Sequence, residues 1–263
     1  AAPGADHSIS GLLTRSQADS LLVSKNGEIV CEWHAVHVDR SDPHLVFSIS
    51  KSITALVAGI LQHQGLLDPG TPVGDLVPEA KNSAYADATV QHLLDMRVSL
   101  DFDESYLSEE EYARYRRAMS WNPPSGNGED EDMLSFLCSL KKADGPHGTD
   151  HCYLSPNSDM LGIVLERVTG ERFPDLCSRL LWQPLGASAD AFITVDTQGA
   201  PRTAGGVSCR PHDLLAIGQM LINGGTANGA QIVSPRWIAD MQPQSDAIDQ
   251  PLLALFALLS AEA

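Results

Sequence analysis

The segment Ser48-Ile49-Ser50-Lys51 places a serine and a lysine three positions apart at the start of a predicted helix. Residues three apart share one face of a helix, so the Lys51 amine can reach the Ser48 hydroxyl. A serine hydroxyl becomes a good nucleophile only when a base removes its proton, and a neutral lysine amine can be that base. The spacing alone is common, however, and an N-cap serine followed by an exposed lysine also explains it.

The elements that must position these residues are predicted from turn signals and apolar spacing. Asn26-Gly27 between two apolar runs predicts a hairpin of antiparallel strands over 21–24 and 28–33. Apolar residues at helical spacing predict helices over 48–63 and 158–168. The sequence therefore opens with strands and continues with a central helix that carries the serine and the lysine.

The rest of the chain is predicted to be mostly helical before a return to the sheet. A helix over 173–182 is expected to stop at Pro184, and a strand is expected over 203–208. This order predicts an α/β (α+β) domain formed by residues 1–65 and 201–263, with a mostly helical domain inserted over 66–200.

The composition predicts a folded, acidic protein. The chain has 263 residues, 43% of them hydrophobic, which suffices for one large domain or two modest ones. The formal net charge is −17. So acidic a surface repels phosphate groups, which argues against nucleic acid and anionic membrane as partners. No apolar run reaches the ~18 residues of a transmembrane helix. A small molecule is the expected partner, and the oligomeric state stays open.

The cysteines are odd in number and irregularly spaced: Cys31, Cys138, Cys152, Cys177 and Cys209. An odd count fits the reduced thiols of a cytoplasmic protein better than a disulfide framework. The first residues show neither the basic segment nor the apolar segment of a signal peptide. We therefore expect a cytoplasmic location, with the periplasm as the alternative if a signal peptide has been removed.

Two blocks of sequence occur in an order typical of one enzyme superfamily. The first covers 46–52 and leads into the apolar helix; the second covers 153–158 and leads into 166–170, Glu-Arg-Val-Thr-Gly. They resemble the first and second motifs of the class C β-lactamase-like serine hydrolases. With Tyr-x-Ser in place of Tyr-x-Asn, the second block is most similar to the 6-aminohexanoate-dimer (nylon oligomer) hydrolases, and family VIII carboxylesterases are also similar. The resemblance runs from about residue 21 to 241.

The resemblance implies a fold and a set of roles. The fold is that of β-lactamases and penicillin-binding proteins, an antiparallel sheet with flanking helices and an inserted helical domain. Ser48 is then the nucleophile that forms an acyl-enzyme from a small amide or ester, while Lys51 and Tyr153 transfer its proton. A core tyrosine before a helix is the alternative explanation for Tyr153. The same resemblance places three further residues near the substrate: Tyr106, Trp121 and Ser155.

A third motif of this superfamily is not found in the sequence. Lys-Thr-Gly or His-x-Gly normally lies on a strand opposite the serine and supplies half of the oxyanion hole. Neither motif follows Tyr153. The similar segment His147-Gly148-Thr149 precedes Tyr153. We therefore expect the C-terminal strands of the fold to be missing from this chain. Two functions stay open: a hydrolase of small amides or esters, with β-lactamase or DD-peptidase as a further alternative, and a catalytically silent relative that binds a ligand or partner.

Other chemistries have weaker support in the sequence. Cys31, His34 and His37 lack a fourth metal ligand at a sensible spacing. Residues 101–105 begin like a calcium loop, but the glycine and the final glutamate of such a loop do not follow. There is no Gly-x-Ser-x-Gly segment and no nucleotide-binding fingerprint. We therefore expect neither a metal nor a cofactor.

Overall fold

The computed structural model describes residues 8–105, 111–126 and 131–241, and the backbone of 256–259. In this part of the chain the α-helices α1 to α11 span, in order, Ile9–Arg15, Ile49–His63, Val73–Leu76, Val90–Leu94, Glu111–Ala118, Met133–Ser139, Ser155–Thr169, Phe173–Cys177, Gln183–Leu185, Pro211–Ile222 and Pro235–Met241. The strands β1 to β10 span Ala18–Lys25, Glu28–His34, His44–Leu45, Leu100–Asp101, Lys141–Lys142, Phe192–Ile193, Val207–Cys209, Thr226–Ala227, Ala230–Gln231 and Phe256–Leu259.

The predicted hairpin is confirmed as β1 and β2. Both turn residues have positive φ, 54° at Asn26 and 83° at Gly27, as a type I′ turn requires. Leu21 faces Trp33 across the antiparallel pair. β10 pairs antiparallel with the other edge of β1, so the first sheet has the order β10-β1-β2. The inner face of this sheet packs against α1 and forms a small hydrophobic cluster with it.

A second sheet, in the order β3-β7-β6, leads directly into α2. Its pairing continues one residue past β3, where the Val46 N–H donates to the Val207 carbonyl at 2.8 Å. The start of α2 is therefore tied to β7. The strand predicted over 203–208 is wrong for its first four residues, since the strand begins only at Val207. Residues 203–206 instead form a turn, which lets Gly206 pass against the Thr194 side chain, where a Cβ would lie 2.3 Å from Oγ1.

The main core forms where α2 and α7 pack together. The predictions of both helices are confirmed. Leu56 and Leu61 of α2 are fully buried, as are Val164 and Leu165 of α7. Each such side chain contributes about 1.5–3 kcal/mol on burial. The two helices that position the candidate residues are therefore held firmly by the core.

The helix predicted over 173–182 continues further than expected. A π-helical turn, Ser178–Trp182, joins α8 to α9, and Pro184 lies in the first turn of α9. A proline is tolerated there because its missing N–H is not needed at the start of a helix. Gly186, with φ 71°, ends the segment.

The architecture is α+β, with antiparallel sheets and surrounding helices. None of the helices seen in the described residues combines the length and the apolarity needed to cross a membrane. The division into two domains at residues 65 and 200 stays a prediction.

Candidate active site

The nucleophile candidate sits directly after a strained residue. Phe47 has a φ of 42°, a left-handed conformation that costs a residue other than glycine about 1–3 kcal/mol. Its ring packs edge-on against Trp121, with 6.4 Å between ring centroids. This reversal turns the chain from β3 into α2 and leaves Ser48 exposed at the helix start. Such strain persists only where the surrounding structure holds it, which is common at functional sites.

Ser48 and Lys51 form a pair, as their spacing predicts. The Lys51 Nζ lies 3.2 Å from the Ser48 Oγ and donates to it. Ser48 is the N-cap residue of α2, but its side chain makes no capping hydrogen bond. Ser48 therefore has the position of a capping serine but not its hydrogen bond: the hydroxyl faces the amine, and Lys51 is half-buried.

Tyr153 joins this pair from the segment before α7. The Lys51 Nζ lies 5.0 Å from the centre of the Tyr153 ring, and 46% of the tyrosine is exposed. The structure thus brings Ser48, Lys51 and Tyr153 to one cleft of about 450 Å³, within the size range of small-molecule sites. The remaining cleft residues come from α2, from the α4 region and from α11: Ser52, Ala55, Gln91, Leu94, Asp95, Met96, Trp237, Asp240 and Met241.

The α11 wall of the cleft depends on a close helix approach. The Trp237 Nε1 donates to the Ala55 carbonyl at 3.0 Å. A Cβ on Gly59 would lie 2.3 Å from the indole ring, so only glycine admits the tryptophan at this distance. Sequence reasoning did not assign Trp237 to the site, because its contact with α2 spans most of the chain.

The second acceptor for Lys51 is a backbone group. The Ala204 carbonyl accepts a hydrogen bond from the Lys51 Nζ at 2.7 Å. Ala204 lies in the buried turn 202–206, next to Gly205-Gly206. The lysine amine is thus held between a hydroxyl and a carbonyl, with its position set by two elements far apart in sequence.

The three residues expected to contact substrate have different surroundings. Trp121 packs against Phe47 and donates from Nε1 to Thr194 Oγ1 at 3.1 Å. Ser155 is buried, and its N–H and hydroxyl both donate to the Glu104 carboxylate. Tyr106 lies outside the described residues. The substrate-binding roles of all three stay predictions.

No buried thiol competes with the serine as a nucleophile. Burial raises the pKa of Cys177 to about 12 and that of Cys209 to about 12, so both remain protonated at neutral pH. Burial also raises the pKa of Cys138 to about 11. Among the described residues, no group of three or more histidine, cysteine, aspartate or glutamate side chains is arranged to hold a metal ion.

The fold and the Ser-x-x-Lys site agree with the comparison with known families. The beta-lactamase family model matches residues 5–241, and the chain belongs to this family. A 6-aminohexanoate-dimer hydrolase from Paenarthrobacter ureafaciens is 37% identical over 227 residues, which cover 86% of this chain and 57% of that protein. The resemblance stated from the sequence motifs is thereby confirmed.

Solved structures show the same fold. A structure from Bacillus anthracis, provisionally named a 6-aminohexanoate-dimer hydrolase, matches with a TM-score of 0.83 and 24% identity over 90% of this chain and 62% of that one. EstCE1, described as a hydrolase with promiscuous acyltransferase activity, matches with a TM-score of 0.68 and 19% identity over 88% and 73%. The chain thus spans less than two thirds of the length of the two 6-aminohexanoate-dimer hydrolases.

Proposed function

We propose that this protein is a serine hydrolase that cleaves small amides or esters through an acyl-enzyme. The observation that carries the proposal is the 3.2 Å contact between Lys51 Nζ and Ser48 Oγ at the floor of a cleft that Tyr153 also lines. A lysine that is hydrogen-bonded to a serine, and not extended into solvent, is placed to remove the hydroxyl proton.

The geometry supports a two-step acyl transfer. Ser48 Oγ attacks the substrate carbonyl as its proton passes to the Lys51 amine. The tetrahedral intermediate then expels an amine or an alcohol, which takes a proton from Tyr153, and Lys51 passes its proton on to Tyr153. Water next attacks the ester on Ser48, returns a proton to the serine oxygen and releases the acid. The backbone N–H of Ser48, at the positive end of the 15-residue helix α2, is one donor available to the oxyanion.

A short linear amide is the substrate class we favour. The 37% identical relative is named a 6-aminohexanoate-dimer hydrolase, and the Tyr153-Leu154-Ser155 segment is similar to that group. The cleft is large enough for a small molecule. A β-lactam or a D-alanyl peptide are the other substrates that the family membership makes reasonable.

The test is hydrolysis of three probes by the 263-residue chain: the linear dimer of 6-aminohexanoate, a short-chain nitrophenyl ester and a chromogenic cephalosporin. We expect turnover of the amide and the ester and loss of both in Ser48→Ala. Ser10→Ala, an exposed serine of α1, is the matched control and should behave as wild type. Ester turnover that survives Ser48→Ala would contradict the proposal, and preferred turnover of the cephalosporin would reassign the substrate.

A catalytically silent binding protein is the second candidate. In that case the folded chain would bind the dimer in a calorimeter without hydrolysing any of the three probes. Turnover that depends on Ser48 would exclude this candidate.

We also propose a reducing compartment such as the cytoplasm as the location. All five cysteines lie in the described part of the chain as free thiols, and Cys31 and Cys152 among them are exposed. Exposed free thiols are typical of reducing compartments.

A further inference from the structure

The two backbone groups of Ala204 contact two charged side chains. Its carbonyl accepts from Lys51 Nζ at 2.7 Å, and its N–H donates to Asp159 Oδ1 at 2.8 Å. Asp159 lies on α7, in the helix that begins just after Tyr153. The backbone of one residue, through two successive peptide units, therefore connects a buried carboxylate to the lysine of the proposed active site.

Asp159 is a charged residue in the core, and the acyl-transfer steps give it no role. It is fully buried, and its Oδ2 accepts from both Arg202 and Tyr115. Arg202 is also buried; burial alone would lower its pKa, but the facing Asp159 carboxylate raises the pKa overall. A buried ion pair of this kind is weak evidence for stability, because desolvation offsets most of the attraction.

The two carboxylate oxygens of Asp159 have separate partners. Oδ2 serves Arg202 and Tyr115, whereas Oδ1 serves the Ala204 N–H alone among the bonds found in the described residues. The ion pair and the contact with the Ala204 N–H can therefore be changed independently.

The turn around Ala204 is hydrogen-bonded to both α2 and α7. Thr203 Oγ1 donates to the Ser158 carbonyl of α7 at 2.7 Å, and Thr54 Oγ1 of α2 donates to the Thr203 carbonyl at 3.2 Å. Thr54 follows Lys51 by three residues and so lies on the same face of α2. With these contacts in place, the Ala204 carbonyl has little freedom to follow the lysine if the lysine moves.

We propose that Asp159 is a positioning residue for Lys51 and acts through the backbone of Ala204. By accepting the Ala204 N–H, the carboxylate holds the peptide between Thr203 and Ala204 in place. This anchors the Ala204 Cα, from which the next peptide aims its carbonyl at the lysine amine. Lys51 is thereby held within reach of Ser48 Oγ. This inference rests on the proposed hydrolase function.

Two paired variants separate positioning from the structural ion pair. Asp159→Asn/Arg202→Gln removes both charges but keeps an amide oxygen for the Ala204 N–H. Asp159→Leu/Arg202→Met removes both charges and the acceptor. Replacing both members of a buried pair by neutral groups is often tolerated by the fold. If circular dichroism shows that the leucine variant does not fold, Asp159→Ser/Arg202→Met replaces it. The hydroxyl of the introduced serine is too short to reach the Ala204 N–H.

The readout is labelling of Ser48 by a fluorophosphonate, with the inactivation rate constant and the reagent affinity measured separately. We expect Asp159→Asn/Arg202→Gln to stay within about three-fold of wild type. The variant without the acceptor should label on the order of 10-fold to 100-fold more slowly at unchanged affinity, the effect of an approximately 1 Å misplacement. A purely structural role would instead lower the labelled fraction and leave the rate constant of the folded molecules unchanged.

Equal rate constants in the two paired variants would overturn the positioning role while leaving the hydrolase proposal intact. If wild type itself takes up no label, the hydrolase proposal fails, and acetylation of Lys51 by an N-hydroxysuccinimide ester decides the inference. That acetylation rate, followed on the Lys51 peptide by mass spectrometry, should differ between the two paired variants. An identical rate in both would contradict the inference.

Discussion

Replacing Gly162 with alanine should destabilise the protein and displace the turn that carries Ala204. Gly162 lies in the middle of α7, where its missing side chain admits Thr203. A Cβ at this position would lie 2.4 Å from Thr203 Oγ1 and 2.5 Å from its Cγ2. Ordinary van der Waals contact between such atoms is about 3.5 Å, so the turn must retreat by roughly 1 Å.

The size of the effect follows from two opposing contributions. Overpacking a close contact costs about 1–3 kcal/mol, while alanine gains about 1 kcal/mol over glycine as a helix residue. Thr203 cannot rotate away freely, because its hydroxyl donates to the Ser158 carbonyl, and such a bond contributes about 1 kcal/mol. We expect a net loss of about 1–3 kcal/mol in the free energy of unfolding and acylation roughly ten-fold slower.

Urea unfolding followed by tryptophan fluorescence measures the first quantity, and fluorophosphonate labelling of Ser48 measures the second. Thr203→Ala completes a double-mutant cycle, since it removes both clashing atoms. The two substitutions should couple favourably, by about 1 kcal/mol or more. A Gly162→Ala protein that is as stable as wild type, with no coupling to Thr203→Ala, would refute the packing argument.

Two further predictions concern the lysine and the thiols. Lys51→Met removes the base but little volume, so acylation of Ser48 should slow by about 10²–10⁴-fold with little change in substrate affinity; a variant that acylates at the wild-type rate would exclude Lys51 as the base. Iodoacetamide reacts with the thiolate, and a thiol with a raised pKa forms little thiolate at pH 8. The folded protein should therefore be alkylated at the exposed Cys31 and Cys152 but not at Cys177 or Cys209. Peptide mass spectrometry checks the pattern, and alkylation of Cys177 or Cys209 before unfolding would contradict their raised pKa.

Local spacing was sufficient to predict the pair at the centre of the site. Ser48 and Lys51 lie within one helical turn, so their contact follows from helix geometry alone. The hairpin at Asn26-Gly27 was predictable for the same reason, because both residues tolerate a positive φ. These predictions depend only on neighbours in the sequence.

The rest of the site depends on contacts that no local pattern encodes. Ala204 contributes a backbone carbonyl, and every residue type has one, so nothing in its identity marks it. The sequence around Gly205-Gly206 predicts a strand. The chain forms a buried turn there instead, because side chains of other elements hold it, and no local pattern shows those contacts. The sequence does mark Asp159, because an aspartate on the buried side of an amphipathic helix destabilises the fold unless it is paired. That signal could have predicted a buried partner, although not Arg202 in particular.

Intact-mass spectrometry after exposure to a fluorophosphonate tests the central claim most directly. The reagent forms a stable adduct only with an activated serine, so one adduct is expected on the wild-type chain and none on Ser48→Ala, with Ser10→Ala labelled like wild type. Peptide mapping should place the adduct on Ser48. A folded wild-type chain that takes up no label, or a label that persists in Ser48→Ala, would contradict the assignment of Ser48 as an activated nucleophile.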